Sequence, residues 1–379
     1  MRFTALAAKG LEEVVAGELR GLGLLPGPVG PGAVGFQGSL VQAYRAVVHL
    51  RTARRLLLDF GDFPAADGRA YYEGVRALPW EEFLTKRHTF AVEASVRDSF
   101  TGHSGYAALR AKDAVADRCR QALGARPDVD REGPAVRVCV RLAEGRCSVG
   151  LDLAGRPLHK RGYRVRPSPA ALNETLAAGL LLLLEYDGER PFCDPFCGSG
   201  TLAVEAALIA SRTAPGLVGG RAFALERWPG FDRRAWERVL DEAREARRAP
   251  PCPVWASDKD PGAVRAAAAN AAAAGAGAAV STACRDALRT APPGDGGLLA
   301  SNLPYGDHAG VGENLGALYA GFGDALKRRW AGWKAGLLCG EPSLAKRIGL
   351  RPARRVPLWN GPAEVRLLVF DLYEGSRRR

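Results

Sequence analysis

Long apolar segments are absent from this sequence of 379 residues. The longest apolar run extends only from Leu176 to Leu184, whereas a helix that spans a bilayer needs about 20 apolar residues. Near the start of the chain, Lys9 and Glu12 interrupt any stretch that could serve as the core of a signal peptide. We therefore expect neither a membrane span nor an export signal, and a cytoplasmic location.

Cysteine and histidine are also scarce. The 8 cysteines form no Cys-x-x-Cys pair, and the 5 histidines are scattered. Because zinc sites need these residues in clusters, no metal site is expected, and the thiols suit a reducing cytoplasm. The composition of 47% hydrophobic and 25% charged residues is that of a globular protein. It excludes disorder, a coiled coil or collagen as a description of the whole chain.

Acidic residues are outnumbered, with 41 against 53 basic residues and a net charge of +12. The stretch 156–166, Arg-Pro-Leu-His-Lys-Arg-Gly-Tyr-Arg-Val-Arg, contains no acidic residue. Guanidinium groups and an aromatic ring are the groups that attract phosphates and unstacked bases. This stretch is therefore either a solvated basic linker or an RNA-binding segment, whose candidate ligands are Lys160, Arg161, Tyr163 and Arg164.

The hydrophobic periodicity changes in character along the chain. Two α+β units are predicted at 1–61 and 62–155, followed by a basic linker at 156–172. From 173 to 379, helices alternate with apolar strands, which is typical of an α/β fold with a doubly wound parallel sheet. Within the second unit, a helix is expected at 74–84, among other elements.

A glycine-rich loop follows one of the predicted parallel strands. The motif Asp-Pro-Phe-Cys-Gly-Ser-Gly-Thr occupies 194–201 and precedes a predicted helix at 202–210. Gly198 and Gly200 permit a tight turn and the close approach of a ligand, and the helix start offers free N–H groups to a carboxylate or phosphate. The third glycine of a dinucleotide site and the Gly-Lys-Ser/Thr of a nucleotide triphosphate loop are absent. A nicotinamide dehydrogenase is therefore disfavoured.

Acidic residues follow the next two predicted strands. Asp258 ends a strand that begins at Val254, where a carboxylate can accept hydrogen bonds from the ribose hydroxyls of a nucleoside. A simple turn or cap is the alternative for Asp258. Asp260 is predicted to cap the helix that starts at Pro261. Asp286 follows a third strand, where it could accept a hydrogen bond from an adenine amino group.

The tetrapeptide Asn302-Leu303-Pro304-Tyr305 ends a short apolar strand. The oxygen of Asn302 and the carbonyl beside Pro304 can accept hydrogen bonds from an exocyclic amine, while Tyr305 can stack on a base removed from its helix. A strand followed by a turn with an exposed tyrosine is the alternative. The position of this tetrapeptide downstream of the glycine loop favours the functional interpretation.

These four motifs, in this order, resemble the class I S-adenosylmethionine-dependent methyltransferases that modify nucleobase amines. Further segments make essentially the whole chain similar to bacterial THUMP-domain RNA guanine-N2 methyltransferases of the RlmL type, which act on 23S ribosomal RNA. The segments that carry this likeness are Lys9–Glu13, Tyr72–Glu81, His103–Asp113, Leu158–Arg164, Asn173–Ala177 and Leu358–Glu364.

The resemblance implies a ferredoxin-like N-terminal unit at 1–61, an RNA-binding THUMP domain at 62–155 and a Rossmann-like catalytic domain at 173–379. It implies S-adenosylmethionine as cofactor and RNA as partner. Asp258 would hold the ribose and Asp286 the adenine. The target amine would be held by Asn302, Pro304 and Tyr305, and the remaining cofactor contacts would come from Asp194, Phe196, Gly198, Gly200 and Thr201.

Two positions depart from the family pattern. Asn173 stands where relatives often carry lysine, and Leu303 stands where guanine-modifying relatives usually carry a second proline. The sequence Asn-Leu-Pro-Tyr is also similar to that of adenine dimethyltransferases of small-subunit ribosomal RNA. A tRNA guanine-N2 methyltransferase and a catalytically idle RNA-binding protein remain as alternatives. We expect a monomer.

Overall fold

Alternating apolar residues in the first part of the chain build one mixed sheet. The computed structural model describes residues 1–166, 172–306 and 314–374. The elements of this N-terminal lobe are β1 (Arg2–Ala7), α1 (Glu12–Gly21), β2 (Pro26–Gly30), β3 (Ala33–Gln37), α2 (Leu40–His49), β4 (Ala53–Pro64), α3 (Gly68–Ala77), a 3₁₀ turn (Trp80–Glu82), β5 (Thr89–Arg97), α4 (Ser104–Leu123), β6 (Asp128–Val129), β7 (Val136–Ala143) and β8 (Arg146–Asp152).

The long strand β4 joins the two predicted α+β units. The strand order of the sheet is β2-β3-β1-β4-β8-β7-β5-β6. On β4, Leu58 lies opposite Phe3 of β1 on one side and opposite Leu151 of β8 on the other, both in antiparallel register. The boundary that the sequence places between residues 61 and 62 falls inside β4, so the two units share a strand.

The helix expected at 74–84 is displaced in the structure. Asp67 caps α3, since its carboxylate accepts from Arg69 N and Ala70 N, both at 2.8 Å. The helix ends at Ala77, and Leu78 is extended with φ −68° and ψ 148°. The ring of Pro79 disfavours the helical conformation for the residue before it. The hydrophobic pattern continues past Pro79, whereas the helical backbone ends before it.

The second sheet forms the C-terminal lobe. Its elements are α5 (Glu174–Leu183), β9 (Phe192–Asp194), α6 (Thr201–Ala210), two 3₁₀ segments (Pro215–Gly220 and Ala224–Arg227), α7 (Arg233–Glu245), β10 (Val254–Asp258), α8 (Pro261–Ala273), β11 (Val280–Cys284), β12 (Gly297–Asn302), α9 (Leu315–Arg329), β13 (Trp333–Cys339), α10 (Pro342–Arg347), β14 (Arg354–Asn360) and β15 (Ala363–Asp371).

This sheet confirms the predicted α/β class. Its order is β11-β10-β9-β12-β13-β15-β14, with parallel pairing from β11 to β13 and antiparallel pairing of β15 and β14. Leu298, Leu299 and Ala300 of β12 are all buried, as expected for a strand covered on both faces. The chain order reverses between β9 and β12, and such a reversal opens a crevice at the carboxyl edge of the strands.

The two lobes interlock. The segment 214–247, which follows α6, leaves the second sheet and packs into the core of the N-terminal lobe. There the ring of Trp236 meets that of Tyr44 edge-on at 5.4 Å, and Trp228 Nε1 donates to Ala135 O at 3.1 Å. In return, Leu11 of the N-terminal lobe is buried in the core of the C-terminal lobe. No pattern in the sequence indicates this exchange.

Among the helices that the structure describes, none combines the length and the apolar character needed to cross a bilayer.

Candidate functional site

A cavity of about 570 Å³ opens at the carboxyl edge of β9, β10 and β12. Residues from all four sequence motifs line it, together with the tip of the β14–β15 hairpin at 360–363. The predicted site residues that the structure brings together here are Asp194, Phe196, Gly198, Thr201, Asp258, Asp286, Asn302, Pro304 and Tyr305.

Asp194 ends β9 and lies beneath the glycine loop. Its carboxylate is buried and accepts from Ser301 Oγ at 2.5 Å and from Phe196 N at 3.2 Å. Removal of the carboxylate from water raises the pKa of Asp194 to about 7, and the nearby charge of Asp258 adds to the rise. Asp194 is therefore an acid that changes charge near neutral pH at the floor of the cavity.

The two glycines of the loop have different structural roles. Both have positive φ, +51° at Gly198 and +83° at Gly200, a region that other residues rarely adopt. A Cβ at Gly198 would meet no atom within 4 Å, so this backbone is open to a ligand. A Cβ at Gly200 would lie 2.8 Å from Ala267 Cβ of α8. Gly200 does not line the cavity and packs closely on α8 instead, and its contact with the cofactor stays a prediction.

Asp258 connects the glycine loop to the end of β10. One carboxylate oxygen accepts from Gly198 N and the other from Asp260 N, each at 3.0 Å. An ionised carboxylate has about four acceptor positions, so both oxygens retain capacity toward the cavity. Asp260 caps α8 as predicted, accepting from the first backbone N–H groups of that helix. Asp286 lines the same cavity after β11.

Asn302 presents an unused acceptor. Its Oδ1 is buried and has no hydrogen-bond partner among the described residues, although Asn302 lines the cavity at the end of β12. A buried acceptor without a donor costs roughly 1–3 kcal/mol. A ligand that brings an N–H group into the cavity would satisfy this oxygen.

The rest of the tetrapeptide is held by side chains that sequence reasoning missed. Tyr319 Oη, on α9, donates to the Pro304 carbonyl at 3.0 Å. Asn360 Nδ2, on β14, donates to Tyr305 Oη at 3.3 Å. The ring of Tyr305 lies against Gly340, where a Cβ would come within 2.3 Å of it. Asn360 lies in the family-like segment Leu358–Glu364, which could have suggested it, whereas nothing in the local sequence marks Tyr319.

Two cysteines, one in β9 and one in the glycine-rich loop, are packing residues. Cys193 and Cys197 are both buried, and burial raises the pKa of each thiol well above its ordinary value. The thiolate, which is the reactive form, is therefore disfavoured. Both residues therefore act as small packing side chains rather than nucleophiles.

The basic stretch 156–166 is solvated only in part, because two of its four candidate RNA ligands turn inward. Tyr163 Oη donates to Glu205 Oε1 at 3.0 Å, and Arg161 Nε lies 3.5 Å from the same oxygen. Both residues are buried, with exposed fractions of 1% and 2%. The prediction of Arg161 and Tyr163 as RNA ligands is therefore wrong, because their polar groups face inward. Arg164 pairs with Glu174 at 3.4 Å, and Lys160 alone of the four is exposed.

Within the described ranges, no group of three His, Cys, Asp or Glu side chains is arranged to hold a metal ion.

Three family models match the chain. The model described as RMKL-like, methyltransferase domain, matches residues 161–368. The THUMP domain model matches residues 66–152, and that of the RlmL ferredoxin-like domain matches residues 2–57.

Curated relatives and a solved structure agree with these models. A ribosomal RNA large subunit methyltransferase K/L from Syntrophotalea carbinolica is 41% identical over 99% of this chain, which covers 54% of that protein. A Synechocystis protein named as a candidate RNA methyltransferase is 34% identical over 98% of this chain and 97% of its own length. SMU.472, a candidate methyltransferase solved with SAH, is 29% identical with a TM-score of 0.88, covering 100% of this chain and 99% of its own.

The chain spans about half the length of the first K/L-type relatives that it matches.

Proposed function

Since the chain belongs to the RMKL-like methyltransferase family and carries an RlmL-type ferredoxin-like domain and a THUMP domain, we propose that it methylates RNA. The proposed reaction transfers a methyl group from S-adenosylmethionine to the exocyclic N2 amine of a guanine in 23S ribosomal RNA. The buried, unpartnered Oδ1 of Asn302 is the observation that carries this proposal. The name of the K/L-type relatives supports the choice of ribosomal RNA.

The cavity fits the cofactor by its chemistry. Asp258 would accept from the ribose hydroxyls and Asp286 from the adenine amine, while Asp194 and the glycine loop would face the methionine end. The open backbone at Gly198 leaves room for a close ligand. When bound, S-adenosylmethionine supplies an electrophilic methyl group on a sulfonium.

Asn302 and Pro304 orient the target amine. The lone pair of an exocyclic amine is delocalised into the base, which makes the nitrogen a poor nucleophile. Acceptance of its N–H bonds by Asn302 Oδ1 and by the Pro304 carbonyl favours a pyramidal nitrogen. Positive charge develops on the amine as it attacks, so both acceptors stabilise the transition state more than the ground state.

Two further side chains position this tetrapeptide. The hydroxyl of Tyr319 occupies one lone pair of the Pro304 carbonyl and leaves the second for the amine. Asn360 fixes the ring of Tyr305, on which the target base would stack. None of these residues forms a covalent bond with the substrate.

The departure at Leu303 bears on base identity. Leu303 N donates to Leu338 O of β13 at 3.1 Å, a hydrogen bond that a proline at this position could not make. The leucine therefore ties the tetrapeptide to the neighbouring strand through its backbone.

The test uses tritiated S-adenosylmethionine with deproteinised ribosomal RNA and bulk tRNA from a strain that lacks this gene. The labelled RNA is digested to nucleosides, which are identified by mass. We expect N2-methylguanosine in large-subunit RNA. Label in tRNA would change the substrate, and methyladenosine would change the base. Absence of label from both pools and from purified ribosomal subunits would contradict a methyltransferase and favour an RNA-binding protein.

A further inference from the structure

A second cavity lies on the C-terminal lobe outside the proposed active site. It measures about 570 Å³, as much as the active-site cavity. Its walls come from α10, the loop after it and the β14–β15 hairpin. A space of this size can hold a group comparable to the one that the active site accommodates.

The walls of this groove are basic and contain no acidic residue. Lys346, Arg351, Arg355 and Arg366 line it, and all four are exposed. Arg366 has an acidic neighbour, Glu364 at 3.6 Å. The other three cations show no ion pair within the described part of the chain. The groove therefore concentrates positive charge that the fold itself does not neutralise.

The floor of the groove is apolar. Arg366, Leu368 and Phe370 alternate along β15 and so share one face of the sheet, and Arg355 lies opposite Leu368 on β14. Leu368 and Phe370 close the base of the groove and are themselves buried. The half-buried Leu350 and Pro352 supply the apolar surface that stays open. Cations above an apolar floor match a chain that carries phosphates on one side and flat bases on the other.

The groove begins beside the proposed active site. Gly340, against which the ring of Tyr305 packs, is separated from the groove residue Pro342 only by Glu341. Glu341 Oε1 in turn accepts from Gly306 N, directly after Tyr305, at 3.3 Å. A single strand whose target base reaches Tyr305 can thus continue into the groove without leaving the protein surface.

We propose that this groove binds the single-stranded RNA next to the target nucleotide. The proposal rests on the RNA methyltransferase function proposed above. Phosphates of the flanking nucleotides pair with Lys346, Arg351 and Arg355, and one of the flanking bases lies on Leu350 and Pro352. Since the contacts are to phosphates and to the face of a base, the groove contributes affinity and register rather than sequence recognition.

The test compares two double charge reversals in the full chain. The groove variant carries Arg351→Glu and Arg355→Glu, and the matched control carries Arg234→Glu and Arg238→Glu on the exposed side of α7. Both change the net charge equally. Binding of a short fluorescein-labelled oligouridine is measured by anisotropy across a salt series. Thermal unfolding and S-adenosylmethionine binding establish that both variants are folded.

We expect the groove variant to lose about tenfold or more in affinity at low salt, with a salt slope shallower by about 1.4, as for two lost phosphate contacts on a single strand. The control should stay within about twofold of the unaltered chain. With methylatable RNA, KM should rise in the groove variant while kcat is retained. Equal affinities and equal salt slopes for both variants would overturn the proposal. The positive charge of the groove would then indicate an acidic protein as its ligand.

The binding measurement separates this proposal from the function on which it rests. A chain that methylates no RNA but loses oligouridine binding on groove reversal would keep the groove and lose the proposed activity. A chain that methylates RNA, with both variants binding oligouridine and turning over equally, would keep the activity and lose the groove.

Discussion

The basic stretch 156–166 and the tetrapeptide 302–305 both carry buried polar groups, but they use them differently. In the basic stretch, Arg161 and Tyr163 turn inward and meet the buried carboxylate of Glu205. In the tetrapeptide, Asn302 Oδ1 is equally buried and meets no donor among the described residues. In the first region the charged groups meet opposite charges within the fold, although Arg161 Nε and Glu205 Oε2 lack a hydrogen bond of their own in the part of the chain that the structure describes. In the second, the unpartnered acceptor belongs to a residue that lines a cavity.

This difference distinguishes polar groups that stabilise the fold from polar groups that remain available to a ligand. Buried polar groups are normally hydrogen-bonded, so an exception at a cavity calls for an explanation by a ligand. The guanidinium of Arg161 also donates to Leu158 O at 2.6 Å and to Arg51 O of the N-terminal lobe. It therefore joins the two lobes, and its charge is used for folding rather than for an external partner.

The largest expected effect follows from removing Arg161. Arg161→Met removes the cation that lies 3.5 Å from the buried carboxylate of Glu205, so the free energy of unfolding should fall by about 3–5 kcal/mol. Denaturant titration measures this loss. The exposed neighbour gives the control, since Lys160→Ala should change the same quantity by less than about 0.5 kcal/mol.

A double variant keeps the prediction testable if Arg161→Met fails to fold. Adding Glu205→Gln to Arg161→Met removes the stranded charge and should recover part of the lost stability. If Arg161→Met has wild-type stability and binds RNA more weakly, Arg161 contacts RNA and does not serve the fold.

Removal of Asn302 should act on catalysis and leave the fold intact. Asn302→Ala deletes an acceptor that directs the amine, so methyl transfer should fall by about 100- to 1000-fold. S-adenosylmethionine affinity should hardly change, and stability should not fall, because no hydrogen bond within the described residues is lost. Single-turnover assays, calorimetry and denaturant titration measure the three quantities.

A second buried asparagine sharpens this result. The amide of Asn270 is fully used, donating to Ser199 O at 2.9 Å and to Arg166 O at 3.0 Å and accepting from Arg166 N at 2.9 Å. Asn270→Ala should therefore cost about 1–3 kcal/mol of stability. If Asn302→Ala destabilises the protein as much as Asn270→Ala does, Asn302 has a structural partner and the proposed role is wrong.

An effect that depends on pH is expected from the titration of Asp194. Its pKa rises from 3.8 to about 7 on folding, so the folded protein holds a proton that the unfolded chain has released between these values. Stability must then fall as pH rises from about 4 to 7 and level off above 7, by at most about 1.4 kcal/mol per pH unit. Asp194→Asn should remove this component while keeping an acceptor for Ser301.

The measurement compares the free energies of unfolding of the two chains at several pH values, without cofactor. The advantage of Asp194→Asn over the unaltered chain should grow from pH 5 to pH 7 and then stay constant. A constant difference across the whole range would show that Asp194 is already ionised at pH 5.

The smallest effect is expected at Tyr319. Tyr319→Phe removes the hydroxyl that donates to the Pro304 carbonyl, a hydrogen bond worth about 0.5–1.5 kcal/mol. We expect kcat to fall by up to about tenfold, with little change in KM, because the carbonyl is no longer held in place. A rise in KM with an unchanged kcat would assign Tyr319 to substrate binding instead.

Much of the site could be predicted from the sequence because its parts are local. The glycine loop, Asp258, Asp286 and the tetrapeptide each follow a parallel strand, and parallel strands bring their carboxyl ends to one edge. Tyr319 and Asn360 could not be predicted in this way, since each meets its partner through tertiary packing. The same holds for Gly200, whose neighbour Ala267 lies on another helix.

The sequence by itself determined the α/β class, the family and the set of residues around one cavity, since these depend on periodicity and on short motifs. The tertiary structure decided which polar groups are free. It buried Arg161 and Tyr163 against Glu205, left Asn302 Oδ1 without a donor, and gathered Arg351 and Arg355 in an open groove. The charge of each residue is known from the sequence. Its desolvation depends on which residues pack against it, and that is decided only when the chain folds.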